Sequence, residues 1–370
     1  MSASRSRAGR RLADSRICVC VGSGGVGKTT TAAAMAAGLA ARGQRVAVVT
    51  IDPARRLASA LGVKELGNEP RRVDPELFAA AGLELEGELW AMMLDPKRTF
   101  DDLIDSLAGD ERARDEILAN RIYHELSSAV AGSQEFTAMV KLYELHASGR
   151  FDVLVLDTPP SRNALDFLEA PSRVTQFLEG RAIRMFLVPS GLAGRVVGRG
   201  TGLVFKVLER LTGVDLLNDL SVFFGSLSGV LEGFRERSAG VSALLRDPAT
   251  TFVIVTSPEP GPVAEALFLH ERLAEARMPY GALIVNRAHP GELIAADPAQ
   301  ARPVLEGRVG ASLTQRALSN LEDFAVLARR DRESIARLER AMADSATVVP
   351  HLDSSVQEVG GLVALERFLF

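Results

Sequence analysis

The sequence contains little cysteine, few aromatic side chains and no large excess of either charge. Its 370 residues include two cysteines, one tryptophan and 5% aromatic residues. Two cysteines cannot form a disulfide framework, which indicates a reducing compartment. Lys and Arg number 43 against 47 Asp and Glu, a net charge of −4. The whole chain therefore has no general attraction for nucleic acid or anionic lipid, and we expect no nucleic-acid partner.

Long hydrophobic runs are also missing. The longest uncharged runs, 29–41 and 220–231, are shorter than the ~18 residues that suggest a transmembrane helix. Residues 1–15 are basic and polar, without the apolar core of a signal peptide, and are expected to form a mobile tail. The five histidines show no close metal-ligand spacing, so no zinc site within one chain is expected. These observations together predict a cytoplasmic protein.

Short apolar runs alternate with longer helical stretches along most of the chain. They are apolar throughout instead of alternating with polar residues, which is typical of strands buried on both faces of a parallel sheet. Strands that alternate with helices predict an α/β fold with a doubly wound, mostly parallel sheet. The clearest runs are 17–21, 46–51, 153–156, 252–255 and 283–285, and the weaker ones are 89–94 and 347–349.

Two stretches, 99–148 and 173–246, lack this alternation and read as successive helices. We interpret them as an α-helical subdomain inserted into the α/β core. The predicted organisation is a tail over 1–15 and one domain over 16–370, interrupted by helical segments at about 97–150 and 173–246.

A glycine-rich loop follows the first predicted strand and fits the P-loop pattern G-x-x-x-x-G-K-[ST]. Glycines let the backbone N–H groups surround a phosphate chain, and the following helix points its positive dipole end at the anion. Lys28 would contact the β- and γ-phosphates, and the hydroxyl of Thr29 would bind Mg²⁺. The residues expected to bind the nucleotide here are Gly22, Ser23, Gly24, Gly25, Val26, Gly27, Lys28, Thr29 and Thr30.

The same loop also matches the dinucleotide-binding pattern G-x-G-x-x-G, at Gly22, Gly24 and Gly27. Asp52, 25 residues after Gly27, could then bind a ribose. Lys28 directly after the last glycine, and the acid that ends the run 153–157, favour a P-loop. A glycine turn without ligand is the remaining alternative.

Two aspartates, Asp52 and Asp157, follow apolar strands and should therefore meet at the carboxyl edge of a parallel sheet, beside the P-loop. Asp157 is predicted to hold Mg²⁺ through a water, and Asp52 to orient the attacking water. Either carboxylate could instead cap the helix that follows it, because Asp is a favoured N-cap and Pro53 would suit the first helical position after Asp52.

With these residues placed, the sequence resembles the deviant-Walker-A P-loop ATPases. Within them it is most similar to the ArsA-type family of arsenite-pump ATPases and tail-anchored-protein targeting factors, in its actinobacterial anion-transporting-ATPase-like branch. The resemblance covers nearly the whole chain from about residue 16. Its landmarks are Walker A at Gly22–Thr30, switch I at Ile51–Ala54, switch II with Walker B at Phe151–Pro160, the adenine-side loop Ser257–Glu259, Val285–Arg287 and Val349–Pro350.

The resemblance implies a dimer that closes over ATP and Mg²⁺ and reopens after hydrolysis to ADP, either with itself or with a paralogous ATPase. It also implies that Asp52 activates water and joins Thr29 and Asp157 around Mg²⁺. Asn286 would read the adenine edge and Pro350 would lie near the base. Composition alone favours the alternative that Asn286 is a turn residue at the end of a strand.

Three departures from the family pattern matter. The family's second lysine, which reaches the partner's phosphates, would occupy position 23, where this chain has Ser23. A hydroxyl cannot replace a long cationic side chain, so we expect slow turnover or a contribution from a second subunit; Arg55, Arg56 or Arg162 could supply the charge. No CxxC occurs and the two cysteines, Cys18 and Cys20, lie in the first strand, which argues against zinc-bridged and arsenite-activated versions.

Five basic residues and no acid lie between Glu179 and Glu209, interleaved with apolar residues, and a sixth basic residue, Arg210, follows Glu209 directly. They indicate either a mobile loop beside a packed helix or a lid, at 190–202, over an apolar groove for a protein or membrane-associated client. The sequence thus leaves two functions open: an ATPase that acts on an unidentified client, or a regulatory subunit that binds nucleotide with little turnover. The basic residues are Arg181, Arg184, Arg195, Arg199, Lys206 and Arg210.

Overall fold

The computed structural model describes residues 7–52, 56–120, 123, 133–158, 230–295, 297–352 and 358–370. Within these residues, eight strands form one sheet in the order β3-β4-β2-β5-β1-β6-β7-β8. The strands are β1 (Ile17–Val21), β2 (Arg45–Thr50), β3 (Arg71–Arg72), β4 (Glu88–Met93), β5 (Val153–Asp157), β6 (Thr250–Thr256), β7 (Tyr280–Ala288) and β8 (Thr347–Pro350).

All neighbouring strands run parallel except β3, which pairs antiparallel with β4 at the edge of the sheet. The predicted α/β fold with a doubly wound, mostly parallel sheet is confirmed, and both weaker strand predictions correspond to strands, β4 and β8. The sequence did not indicate β3, because its two residues are exposed arginines without an apolar pattern.

The α-helices lie between the strands in chain order. They are α1 (Arg7–Ala13), α2 (Lys28–Ala40), α3 (Arg56–Ala60), α4 (Pro75–Ala80), α5 (Pro96–Leu107), α6 (Glu111–Leu118), α7 (Ser133–Ala147), α8 (Leu231–Arg246), α9 (Pro260–Glu275), α10 (Pro298–Val309), α11 (Ala311–Met342) and α12 (Val359–Leu369). A short 3₁₀ helix spans Gly291–Ile294.

Strand β1 lies in the middle of the sheet, between β5 and β6. Its five residues are all buried, as are those of β5, which explains their apolar sequences. The chain leaves β1 toward β2 on one side, whereas β6, β7 and β8 continue on the other. In such sheets the change of direction opens a crevice at the carboxyl ends of the strands, where ligands bind.

Helix α2 follows β1 and is the most deeply buried helix of the core. It is rich in alanine and packs against α12 at the C-terminus. A Cβ at Gly38 would overlap the ring of Phe370, so glycine is what allows this close approach. Arg42 adds an ion pair with Glu366 of 2.8 Å between Nη1 and Oε1. This packing fixes the direction of α2, and therefore of its N-terminus at the glycine loop.

The expected mobile tail over 1–15 is wrong for residues 7–13, which form helix α1. Leu12 is fully buried in the core, and Arg11 donates to the carbonyl of Gly281 and pairs with Asp344. A helix this short offers too few apolar positions to show a 3.6-residue period, so only the tertiary contacts reveal it.

The described residues divide into two compact units. The first, which holds the sheet, comprises those within Met1–Met93, Ser148–Ala164 and Arg246–Phe370, and the second those within Leu94–Ala147 and Leu165–Leu245. The expected domain boundaries remain a prediction. Much of the proposed insert, including 190–202 and the six basic residues, lies outside the described residues. Arg55 and Arg162, which were expected to supply positive charge, also lie outside them.

The second unit is helical in its described part. Its core joins three helices through aromatic rings, with centroid distances of 5.7 Å from Phe100 to Phe234 and 6.3 Å from Phe136 to Phe234. Gly233 and Gly240 let α8 approach Leu107 and Tyr143 closely. In the described part of the chain, no helix is long and apolar enough to cross a membrane.

Candidate nucleotide-binding site

The glycine loop joins the end of β1 to the start of α2 at the sheet crevice. A Cβ at Gly22 would overlap the carbonyl oxygen of Val255 on β6, so only glycine fits between the two strands. Gly27 is the N-cap of α2 and has a left-handed backbone with φ of 96°. The loop therefore approaches the neighbouring backbone closely and delivers the chain into the first turn of α2, whose first amide groups have no partner within the helix.

Among the other loop residues, Gly24 and Gly25 are exposed, Ser23, Thr29 and Thr30 are half-buried, and Val26 packs in the core. The exposed glycines leave the loop backbone open to a ligand. Gly25 also has a positive φ of 80°, a conformation that side chains with a Cβ rarely adopt.

Lys28 is the first residue of α2, and its side chain folds back over the loop. Its Nζ donates to the carbonyl oxygens of Gly22 at 2.8 Å and of Ser23 at 2.9 Å. Burial lowers the pKa of Lys28, whereas the nearby carboxylates of Asp157, Glu265 and Asp52 act in the opposite direction. The ammonium group is thus held beside the loop in a mostly buried position, where phosphate oxygens would be its natural partners.

Asp157 ends β5 directly beside the loop and is fully buried. The hydroxyl of Thr50, its register partner on β2, donates to Oδ2 at 2.9 Å. The other oxygen, Oδ1, has no hydrogen-bond partner among the described residues. Burial raises the pKa of Asp157 to about 6, opposed by hydrogen bonds from Thr29 and Thr50 and by the charge of Lys28. An unsatisfied buried carboxylate oxygen beside a hydroxyl offers the hard oxygen ligands that Mg²⁺ takes.

Asp52 lies two residues beyond the end of β2 and is half-buried. Its backbone N–H donates to the Thr50 hydroxyl at 3.2 Å, and its Oδ2 lies 3.8 Å from Nη1 of Arg56. The structure thus brings Asp52 and Asp157 to the same edge through Thr50, which bonds to both. The sequence analysis did not identify Thr50 as a site residue. Its position at a strand end, two residues before Asp52, was the signal that could have indicated it.

Asn286, near the end of β7, is buried and contacts the glycine loop. Its Nδ2 donates to the carbonyl oxygen of Val26 at 2.9 Å, and its Oδ1 accepts from the backbone N–H of Arg287 at 3.0 Å. A Cβ at Gly27 would overlap the Asn286 amide. In this state the Asn286 side chain therefore holds the loop, and its expected contact with adenine remains a prediction.

Pro350 ends β8 and pairs in register with Ala288, two residues beyond Asn286 on β7. It therefore lies at the same edge of the sheet, one strand farther from the loop.

The loop residue Ser23 contacts Glu265, which lies on α9. The Ser23 hydroxyl donates to Oε2 of Glu265 at 2.6 Å, a contact that the sequence did not reveal.

The described residues contain no group of three or more His, Cys, Asp or Glu side chains that could hold a metal ion.

Comparison with known proteins tests the P-loop interpretation of this site. The model of the anion-transporting ATPase family, ArsA_ATPase, matches residues 15–309, most of the chain. The chain belongs to this family. By family it is a P-loop ATPase, which decides against the dinucleotide-binding alternative for the glycine loop.

Individual relatives agree. "Putative arsenical pump-driving ATPase 1" of Aquifex aeolicus is 28% identical over 284 residues, which cover 75% of this chain and 65% of that protein. "ATPase GET3" of Rhodotorula glutinis is 30% identical over 72% of this chain and 68% of the relative. "ATPase ASNA1 homolog" of Cryptosporidium parvum is 27% identical over 72% of this chain and 63% of the relative. The matches thus span about two thirds of the length of these ArsA-family relatives.

Proposed function

We propose that this ArsA-family chain binds and hydrolyses Mg-ATP at the glycine loop. The observation that carries the proposal is the buried Asp157, next to the Lys28 ammonium on the loop, with one oxygen that accepts no hydrogen bond from the described residues. A buried carboxylate without a full set of partners destabilises the fold, so its presence beside a phosphate-binding loop is best explained by function.

Each residue of the site has a role in this proposal. The loop amides and the N-terminus of α2 bind the phosphates, and Lys28 exchanges its two loop carbonyl partners for phosphate oxygens. Thr29 and Asp157, with Asp52 nearby, would hold Mg²⁺, which supplies positive charge to the phosphate oxygens. Asp52, half-buried at the crevice, orients the attacking water and accepts its proton.

Adenine recognition by Asn286 and Pro350 is a further part of the proposal. Both lie at the edge of the sheet on the β7–β8 side of the loop, where a base would extend from bound phosphates. Because Asn286 holds Val26 in this state, its amide would have to exchange that bond for the base. Binding of the base would then release Val26 from Asn286, so that this one side chain couples base binding to the loop.

The chain is further proposed to work in the cytoplasm as a dimer, with itself or with a paralogous ATPase. The names of relatives, which include an arsenical pump-driving ATPase, support coupling of ATP to a client, here a protein helix, a lipid-like ligand or a transport partner. The helical unit would bind that client.

Nucleotide titration tests the central proposal. Wild type should bind Mg-ATP, Lys28→Ala should bind it about 10- to 100-fold more weakly, and Asp52→Asn should bind it without turnover. Lys64→Ala, an exposed lysine of the same unit, is the matched control and should behave as wild type. Equal ATP affinity of wild type and Lys28→Ala would contradict the proposal.

A regulatory subunit that binds nucleotide with little turnover is the second candidate. It is favoured by the contact between Ser23 and Glu265, which places an acid where a cation would assist hydrolysis. Turnover measured with and without a paralogous partner separates the two candidates. A rate that stays at background in both cases would support the regulatory role.

A further inference from the structure

Ser23 and Glu265 form a hydrogen-bonded pair at the edge of the glycine loop. Glu265 lies in the second turn of α9, and the Ser23 hydroxyl donates to its Oε2 at 2.6 Å. Both residues are half-buried, and they are 242 positions apart in the chain. The fold, not the local sequence, therefore places a carboxylate against the phosphate-binding loop.

The charges around the loop make this carboxylate unusual. Lys28 faces three carboxylates, on Asp157, Glu265 and Asp52. Asp52 also has Arg56 at 3.8 Å, and Asp52 and Asp157 are the residues assigned to Mg²⁺ above. Glu265 forms no ion pair with any of the described residues; the Ser23 hydroxyl is what contacts it.

A hydroxyl donor fixes the position of a carboxylate without neutralising its charge. Phosphate groups that enter the loop would therefore meet a fixed negative charge at its edge. Repulsion between like charges a few ångströms apart is worth about a few-fold to tenfold in affinity where solvent screens the pair strongly, as it does at a half-exposed side chain. The repulsion grows with the charge of the ligand, so it is greater for ATP than for ADP and absent for adenosine.

We propose that Glu265, held against the loop by Ser23, is a specificity-determining residue that weakens the binding of highly charged nucleotides to the chain. The inference rests on the proposed nucleotide site. It adds that the chain by itself discriminates against ATP relative to ADP, because Lys28 is shared among three carboxylates and Glu265 has no ion pair of its own among the described residues.

Calorimetric titration of the full chain with Mg-ATP, Mg-ADP and adenosine tests the inference. Glu265→Gln keeps the size and hydrogen-bonding ability of the side chain and removes its charge. It should tighten ATP binding by about three- to tenfold, ADP binding by less, and leave adenosine binding within about twofold. The gain for ATP should shrink as NaCl is raised, since screening weakens a charge effect.

Two further variants separate charge from structure. Glu265→Asp retains the carboxylate. Its ratio of ATP affinity to adenosine affinity should therefore lie closer to the wild-type ratio than that of Glu265→Gln. Glu271→Gln removes an exposed acid that lies farther along α9 and is the matched control, expected to resemble wild type. A uniform change for all three ligands in Glu265→Gln would indicate a structural role and overturn the inference.

Ser23→Ala provides the test if Glu265→Gln does not fold. Without the hydroxyl the carboxylate is no longer held at the loop, so ATP should bind about twofold tighter relative to adenosine, and an unchanged ratio would refute the inference. Failure of the nucleotide site itself is recognised separately, because wild type would then show no ATP binding that depends on Lys28. If such binding exists and Glu265→Gln leaves the preference among ligands unchanged, only the inference about Glu265 is wrong.

Discussion

Replacing the buried Asp157 by asparagine should stabilise the ligand-free protein at neutral pH. Added Mg²⁺ should then no longer change the free energy of unfolding. Burial raises the pKa of this carboxyl from an ordinary value of 3.8 to about 6. At 1.36 kcal/mol per pKa unit, ionised Asp157 costs the folded state about 3 kcal/mol above pH 6. Asparagine is neutral at every pH and avoids this cost.

The sign follows from the direction of the pKa change. A carboxyl that binds its proton more tightly when folded contributes stability below pH 4, and this contribution is lost as pH rises through about 6. The difference in unfolding free energy between Asp157→Asn and wild type should therefore increase by about 3 kcal/mol from pH 4 to pH 8. The buried amide protons of asparagine lack acceptors, which lowers the whole curve by about 1–2 kcal/mol without changing its slope.

Urea unfolding followed by tryptophan fluorescence measures this difference. Trp90 is the single tryptophan and lies on β4, in the unit that holds the site, so its signal reports on that unit. Asp152→Asn is the control on the same segment. In the wild type, Asp152 forms an exposed ion pair with Arg45, which lowers the pKa of Asp152. Its stability difference should have the opposite sign, a loss at neutral pH that disappears in acid. A pH-independent gap for Asp157→Asn would refute the reasoning.

Four further predictions concern the loop and the residues beside it. Lys28→Ala should weaken Mg-ATP binding about 10- to 100-fold, measured by calorimetry, because charge-assisted bonds to phosphate are lost. Asp52→Asn should lower the rate of phosphate release about 100-fold or more while Mg-ATP binding stays intact. Asn286→Ala should weaken the binding of ATP by about three- to tenfold and that of inorganic triphosphate by less. Both ligands lose the loop-holding bond to Val26, whereas only ATP also loses the proposed contact with the base. Unchanged affinity for both ligands would contradict this. Wild-type turnover should be slow, and Ser23→Lys should raise it by supplying a cation at position 23. If wild-type turnover is fast and the substitution leaves it unchanged, the site does not lack a cation.

The glycine loop shows what could be predicted locally. Glycine spacing, Lys28 after the last glycine and the apolar run before them all lie within one short segment. The local backbone geometry then follows from residue types, because Gly22 and Gly27 occupy positions that a Cβ would not fit. The central strands are predictable for the same reason, since burial on both faces makes them apolar throughout, whereas the exposed edge strand β3 was not predicted.

The contacts within the site were not predictable in this way. Thr50 bonds Asp157 across 107 residues of chain, Ser23 bonds Glu265 across 242, and Asn286 bonds Val26 across 260. Helix α1 likewise depends on burial of Leu12 in a core built from distant segments. No local pattern encodes which distant side chain fills a given hydrogen-bonding position.

By itself, the sequence determined the class of fold, the phosphate-binding loop and the two aspartates beside it, because residue type and spacing constrain the backbone locally. Only the tertiary structure decided the electrostatic character of the site. It left Asp157 with one oxygen that has no hydrogen-bond partner in the described part of the chain, used the Asn286 amide to hold the loop, and set Glu265 against Ser23. The physical reason is that burial and charge pairing depend on which strand ends meet at the crevice, and that is fixed by the order of the strands in the sheet.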